Sequence, residues 1–448
     1  MHCRLRGAVK GRAALCGALV LCAGTAGFPA PRSAGVEARL QFVVVLTRHG
    51  VRSPTGEPSQ YETWSRAAWP AWDVPPGYLT HHGYDLMRSF GAWDRTQFAT
   101  EGLLTATGCT DAMRVAIVAD SDERTRETGR ALAEGMFPGC APAVQALPDG
   151  TPNALFHPLH AGIGPVDPPG DAQALATAFA QRMGGSAEAF TQQYRSQLRA
   201  MDRILATCGT LEPGHSRRSL FDVAATIGFG RGGRIPELRG PVMTAASLSE
   251  NFLLEYAQGM PRQDVGWGCV DGATVRALIA LHTAEFDVEQ RTLPAARMQA
   301  SDLLDHIRHA LEQAATGNAG AGAPDRAGER ALFFVGHDSN LASVAALLNL
   351  HWDADGRHDD TPPGSALVFE LWKPRREGEP FVKAYFMTQT LEQMRSGTPL
   401  NARNHPVRVP LSLCNGPTIR GQCSWSAFSR EVRQSIDPAW VAAAHADR

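Results

Sequence analysis

Beyond its N-terminal segment the chain has no apolar run of about 18 residues, the length that reads as a membrane span, so a polytopic membrane protein is excluded. It has no excess of either charge: Lys and Arg number 43, Asp and Glu 45, for a net charge of -2. A nucleic-acid binder would carry a basic surplus. So would a protein held by charge on anionic lipid. Several catalytic signatures are missing too. There is no C-x-x-C pair and no Cys/His cluster with zinc-ligand spacing. H-E-x-x-H, G-x-S-x-G and G-x-x-x-x-G-K do not occur, which argues against the zinc-protease, serine-hydrolase and P-loop classes. What is present is an ordinary globular composition, 44% hydrophobic and 20% charged, over 448 residues. That length suits two or three domains around a sizeable core.

The N-terminus carries Arg4, Arg6, Lys10 and Arg12, then an apolar run from Ala13 to Ala26, then small residues. This pattern reads as a signal peptide over about residues 1–36, with cleavage between Ala26 and Ala38. The run is short for an uncleaved anchor, and Leu21 is bulky where a lipoprotein site at Cys22 would need a small residue. Export implies a periplasmic or secreted protein, no membrane association once the signal is removed, and an oxidising compartment. Of nine cysteines, Cys3, Cys16 and Cys22 would leave with the signal. Cys109, Cys140, Cys208, Cys269, Cys414 and Cys423 remain, an even number that fits three bridges in any of fifteen connectivities. Cys414 and Cys423 are close enough in sequence to staple a C-terminal loop.

Three short apolar runs end alike. Phe42 to Leu46 leads into Thr47-Arg48-His49-Gly50, Val115 to Val118 into Ala119-Asp120-Ser121-Asp122-Glu123-Arg124, and Leu332 to Val335 into Gly336-His337-Asp338-Ser339. Such runs, without alternation, suit strands buried on both faces of a mostly parallel sheet. Helical patterns follow the second and third, at Thr125 to Met136 and Asn340 to Leu350, the latter with Asp338 or Ser339 as N-cap. Polar residues therefore collect past the carboxyl ends of strands, the edge where open α/β sheets bind ligands. Ala366 to Trp372 and Val382 to Met387 read as a further strand pair. The middle reads as helices at Ala172 to Met183, Ala187 to Cys208, Thr244 to Gln258 and Thr274 to Gln290. Gly228 to Pro241 and Thr316 to Gly328 read as loops. The expected fold class is α/β: a mostly parallel central sheet with flanking helices, built from residues 37–149 and 291–448, plus a mainly helical cap inserted at 150–290.

The sharpest local signal is Arg48-His49-Gly50-Val51-Arg52-Ser53-Pro54. Guanidiniums offer planar paired donors that match phosphate oxygens. A neutral imidazole between them is placed to attack phosphorus and form a covalent intermediate. His81-His82 is an adjacent pair before Gly83, so it reads as a turn or helix start rather than a metal site. Trp64, Trp69, Trp72 and Trp93 read as core or rim packing.

The motif at Arg48 resembles that of the histidine phosphatase superfamily, in its acid phosphatase and phytase branch. Asp120 to Thr125 resembles the segment that supplies a third phosphate-binding arginine, here Arg124, and Gly336 to Asn340 resembles the His-Asp motif. Gly77 to Thr80 followed by Gly83 resembles the family's helix entry after the first motif, and Asn251 to Met260 followed by Gly266-Trp267-Gly268, with Asp360 to Gly364, resembles segments of bacterial periplasmic phytases and glucose-1-phosphatases. The resemblance implies a hydrolase of small phosphate monoesters, phytate or sugar phosphates. His49 would be the nucleophile and Asp338 the proton donor to the leaving oxygen. Arg48, Arg52, Arg124 and His337 would hold the phosphate, and Thr55, Asp120 and Glu250 would face the pocket. It implies no metal and no cofactor, and disulfides Cys109–Cys140 and Cys414–Cys423, which leaves Cys208 with Cys269. Two positions depart from the phytase pattern: Gly56 stands where a Lys is common, and Gln299 where a basic residue is common. Each missing cation weakens the hold on a highly charged substrate. The other readings are a phosphomutase on the same plan, and a non-catalytic homologue that binds inositol phosphates.

Overall fold

The Phe42–Leu46 run lies inside a longer strand, β1 (Ala38–Arg48), of a computed structural model that describes residues 38–165, 171–211, 216–229, 235–318, 326–414 and 422–442. The segment read as a signal peptide falls outside these residues, as does most of the Gly/Ala stretch after Thr316. Strands β2 (Val115–Ala119), β3 (Val144–Gln145), β4 (Thr226–Phe229), β5 (Pro236–Arg239) and β6 (Ala331–Gly336) follow. After them come β7 (Asp353–Ala354), β8 (Arg357–His358), β9 (Ala366–Pro374), β10 (Phe381–Thr388), β11 (Val407–Leu411) and β12 (Cys423–Ser424). The main sheet runs β11-β10-β9-β1-β6-β2-β3, with β12 also on β10. Its site-bearing half, β1-β6-β2-β3, is parallel throughout. The β9–β10 hairpin and β11 continue it in antiparallel pairing.

The apolar runs lack alternation because helices cover both faces. Val43 and Val45 of β1 pack on one side with Phe90, Leu132 and Phe333. Phe42, Val44 and Leu46 pack on the other with Leu304, Ile307 and Leu341. The first face is closed by helices His81–Thr100 and Glu123–Met136. They approach so closely that a Cβ on Gly135 would collide with the Arg88 carbonyl. The second face is closed by Leu293–Thr316 and Asp338–Leu347. Register then places the strand ends together: Arg48 lies opposite Gly336, and Ala119 opposite Val335.

Helix Asp171–Arg182 matches its sequence pattern. The pattern from Ala187 to Cys208 breaks at Tyr194 into Ala187–Gln193 and Arg195–Thr207. That from Thr274 to Gln290 is two helices, Gly272–Leu278 and Ala280–Glu289. The stretch Gly228 to Pro241, expected to be a loop, instead contains parts of the β4–β5 pair. The correction has a packing cause, because Leu238 and Ile227 turn into an apolar cluster with Phe179, Leu198 and Phe252. The cap of helix Asp338–Leu347 is His337, in extended conformation, so Asp338 is the first helical residue rather than the cap. Thr80 caps His81–Thr100 by accepting from the Gly83 N–H, so His81-His82 is a helix start. Trp69 and Trp93 are buried, and Trp69 stacks on Phe252 at 5.3 Å.

The disulfides are Cys109–Cys140, Cys208–Cys269 and Cys414–Cys423. Cys208–Cys269 spans 61 residues and Cys414–Cys423 spans 9. Constraint of the unfolded chain predicts a loss of roughly 4 kcal/mol for Cys208→Ala with Cys269→Ala, against roughly 2.6 for the C-terminal pair. Denaturant midpoints of the two double variants check this order.

Candidate active site

Backbone bonds fix the loop after β1. The His49 N–H donates to the Gly336 carbonyl at 2.9 Å, and the His49 carbonyl accepts from Gly364 N–H at 2.9 Å. The loop then lies against the start of helix His81–Thr100, where the Thr80 N–H donates to the Val51 carbonyl at 3.0 Å. A Cβ on Gly83 would collide with that carbonyl, so the glycine is what permits the contact. The Gly50 N–H donates to Thr128 Oγ1 at 2.9 Å, which ties the loop to helix Glu123–Met136.

His49 is buried, with Nδ1 2.9 Å from the Gly50 carbonyl. A carbonyl only accepts, so Nδ1 carries the proton of the neutral ring and Nε2 keeps its lone pair. Burial, then Arg124, Arg48 and Arg52, hold the His49 pKa well below the ordinary histidine value of 6.5. Both causes disfavour the charged form. The imidazole is therefore a free base at mildly acidic pH.

Arg48 is fully buried and donates to the Thr361 carbonyl at 2.7 Å. It pairs with Glu250 and, at 2.7 Å, with Asp338 Oδ2. Arg52 reaches Glu250 Oε2 at 3.1 Å. Arg124 pairs with Asp122 and stands 3.4 Å from His337 Nδ1. Each of these three arginines keeps a buried Nε–H without a partner among the described residues. His337 lies edge-on to His49, ring centres 5.6 Å apart, with Nε2 2.7 Å from Asp120 Oδ2. Burial and Arg124 lower the His337 pKa against the opposing hydrogen bond to Asp120.

The sequence candidates thus converge, with differences in depth. Arg48, His49, Arg52, Arg124, His337 and Asp338 share one cleft. Asp120 is completely buried beneath His337; burial opposes its ionisation, but hydrogen bonds from His157 and His337 hold its carboxyl well below the usual range. Glu250, from helix Pro241–Ala257, is ionised because Arg52 and Arg48 outweigh its burial. Thr55 is exposed, and both it and Arg124 lie against Gly77, each 3.6 Å from where a Cβ on that glycine would stand. Gln299 donates to the Glu289 carbonyl at 3.0 Å and lines a small cavity with His157 and Ser339. Asp338 is held low, because Arg48 outweighs the effect of burial.

Several participants carry no sequence signal. His157 Nε2 lies 2.8 Å from Asp120 Oδ2 and comes from an irregular loop. His282, buried in helix Ala280–Glu289, brings a ring nitrogen within 4.8 Å of carboxylate oxygens of Glu250 and Asp338. Its neighbour one turn on, Glu285, has its pKa raised well above the ordinary value by burial and by Glu289, Glu250 and Asp338. Each is a single residue in an otherwise unremarkable segment, and only the fold brings it to the cleft.

An unprotonated imidazole among guanidiniums at the ends of parallel strands is an arrangement chemically suited to phosphoryl transfer. Residues 39–387 match the family model of the histidine phosphatase superfamily (branch 2), and the chain belongs to that family. It is 36% identical to phytase AppA of Escherichia coli over 412 residues, 90% of this chain and 93% of the relative. It is 28% identical to a glucose-1-phosphatase of Providencia rettgeri over 404 residues, 89% of this chain and 92% of that one. Among solved structures, the tartrate complex of Hafnia alvei phytase superimposes with a TM-score of 0.83 at 33% identity, covering 92% of this chain and all of the other.

Proposed function

We propose that the protein is a histidine acid phosphatase that hydrolyses small phosphate monoesters through a phosphohistidine on His49 Nε2. The single observation that carries this reading is the unprotonated Nε2 of a buried His49 amid Arg48, Arg52 and Arg124. Phosphate monoesters resist attack because their oxygens repel nucleophiles. The three guanidiniums neutralise those oxygens and stabilise the charge of the transition state, and His337 is placed to bond the phosphate beside Arg124. Asp338, at the start of helix Asp338–Leu347, donates the proton to the departing alkoxide. Its ion pair with Arg48 favours the carboxylate, but a phosphate dianion on Arg48 adds negative charge beside it and raises its pKa. Substrate itself thus arms the acid. Water then hydrolyses the phosphohistidine with Asp338 as base.

The helical stretch around 171–289 supplies Glu250 and His282, and we read it as the cap over the leaving-group side. Phytate or sugar phosphates are the substrates that the relatives' names favour. Gly56 and Gln299, both uncharged, weigh toward less heavily phosphorylated ones. The disulfides favour an oxidising compartment, read here as periplasmic or extracellular. Among the described residues no helix is long and apolar enough to cross a membrane.

A substrate panel in mild acid, following free phosphate, tests the reading. Transfer of phosphate between sugar hydroxyls without release would favour a mutase, and binding without turnover an inert homologue. Activity is expected to survive EDTA, since the positive charge on the phosphate is built into the chain; a strict requirement for added metal would refute this. The pH profile is expected to peak in mild acid. His49 must be neutral, and its lowered pKa moves the acid limb of kcat/KM well below pH 6.5. Asp338 must be protonated in the complex, so kcat falls as pH rises. An acid limb at 6.5 or above would contradict the placement of His49 among cations.

A further inference from the structure

The hydrolytic scheme uses His337 to hold phosphate and leaves the surroundings of its Nε2 unexplained. His337 Nε2 stands 2.7 Å from Asp120 Oδ2, and His157 Nε2 reaches the same oxygen at 2.8 Å. Asp122 Oδ2 is 3.7 Å from His337 Nε2. One donor atom from each of these four side chains falls within a span of 4.8 Å. Asp120 is fully buried, and its second oxygen, Oδ1, has no hydrogen-bond partner among the described residues. Two imidazoles therefore aim at one buried carboxylate whose bonding is incomplete. We propose that Asp120, His157 and His337, with Asp122 as fourth donor, form a site for a borderline divalent cation, zinc above all, which shares His337 with the phosphate clamp.

The donor set selects the metal. Two imidazole nitrogens and two carboxylate oxygens suit Zn²⁺, whereas Mg²⁺ and Ca²⁺ take oxygen ligands. Tetrahedral zinc with bonds of about 2.0–2.1 Å places its donors roughly 3.3 Å apart. The spacings of 2.7, 2.8 and 3.7 Å bracket that value, and all four donors lie within 4.8 Å of one another, so side-chain adjustment without movement of the backbone would complete the site. As the metal enters, each ring gives up its Nε2 proton and takes one up on Nδ1, so both imidazoles bind as neutral ligands. The His157 side chain is 33% exposed, which gives the ion a way in. A second cluster, His351, His358 and Asp359, is the weaker candidate, because it brings only three donors together, two of them from exposed histidines.

The site sits awkwardly for catalysis. Arg124 pairs with Asp122 and faces His337 Nδ1 at 3.4 Å. A bound metal takes Asp122 from Arg124, and the guanidinium loses the carboxylate that aligns it. The metal's charge also draws the His337 ring toward Asp120, away from the phosphate, so the cation acts as a reversible inhibitor and not as a cofactor.

The test adds Co²⁺ alone to the full chain near neutral pH, because cobalt in a four-coordinate nitrogen and oxygen site absorbs strongly in the visible. One equivalent is expected to bind with that spectrum and to be displaced by Zn²⁺. His157→Ala is expected to lose the absorption, while His160→Ala, a neighbour that stacks on His157 with ring centres 5.7 Å apart, keeps it. Zn²⁺ is expected to suppress turnover of the unaltered enzyme, with EDTA restoring it, and to suppress His157→Ala far less. If His157→Ala melts below the parent, His157→Asn, which keeps a donor for Asp120, takes its place. No binding below millimolar metal, or a spectrum that survives loss of His157, overturns the site. Binding that leaves turnover intact overturns the inhibitory role.

Discussion

A His49→Ala enzyme is expected to lose turnover by about four to six orders of magnitude. Rapid quenching during turnover should then trap no base-stable, acid-labile phosphoenzyme. The change removes the atom that forms the covalent bond, and no neighbour can substitute. His337 Nδ1 faces Arg124 and its Nε2 faces Asp120. Folding should survive, because the loop is held by the His49 backbone N–H and carbonyl, which bond Gly336 and Gly364. Phosphate binding should survive too, since Arg48, Arg52 and Arg124 remain and lose no partner. Labelled protein that persisted in this variant would place the nucleophile elsewhere and defeat the mechanism.

Asp338→Asn separates leaving groups. On an alkyl phosphate, whose alkoxide needs a proton as it departs, the expected loss is about 10²- to 10⁴-fold in kcat. On p-nitrophenyl phosphate the loss should be much smaller, because that phenolate leaves unaided. The same variant should bind inorganic phosphate more tightly. Asp338 Oδ2 sits 2.7 Å from Arg48, and removing its charge frees that guanidinium for an incoming anion. A tighter inhibition constant for phosphate combined with a leaving-group-dependent loss would identify the general acid. Equal losses on both substrates would assign Asp338 to positioning.

The difference between these variants reflects how the site is built. His49 and Arg48 belong to one strand end, so their spacing is local and was readable from the motif. Arg124 and His337 follow strands β2 and β6 that pair with each other, and the register of Arg48 with Gly336 and Ala119 with Val335 brings all three motifs level. Unbroken apolar runs announced those strands, because both faces are buried, and the polar residues after each run announced the edge. The helical middle was legible in kind but not in detail. Periodicity does not register a break at Tyr194 or a turn between Leu278 and Ala280, where helical patterns continue across the junction. Strands β4 and β5 escaped notice because Gly-rich composition outweighed the two apolar residues that seat them.

Sequence by itself determined the residue types that can clamp and attack phosphate, the three strand ends that present them, and the cysteines available for bridging. Tertiary structure alone decided the state of those groups. Burial among cations keeps His49 neutral, and pairing with Arg48 and Arg52 keeps Glu250 ionised. It also decided the partners that come from unrelated segments, His157 beneath His337 and His282 beside Asp338. The reason is physical: a side chain's chemistry is written in its identity, but its charge and its neighbours depend on distances across the fold, which no local pattern encodes.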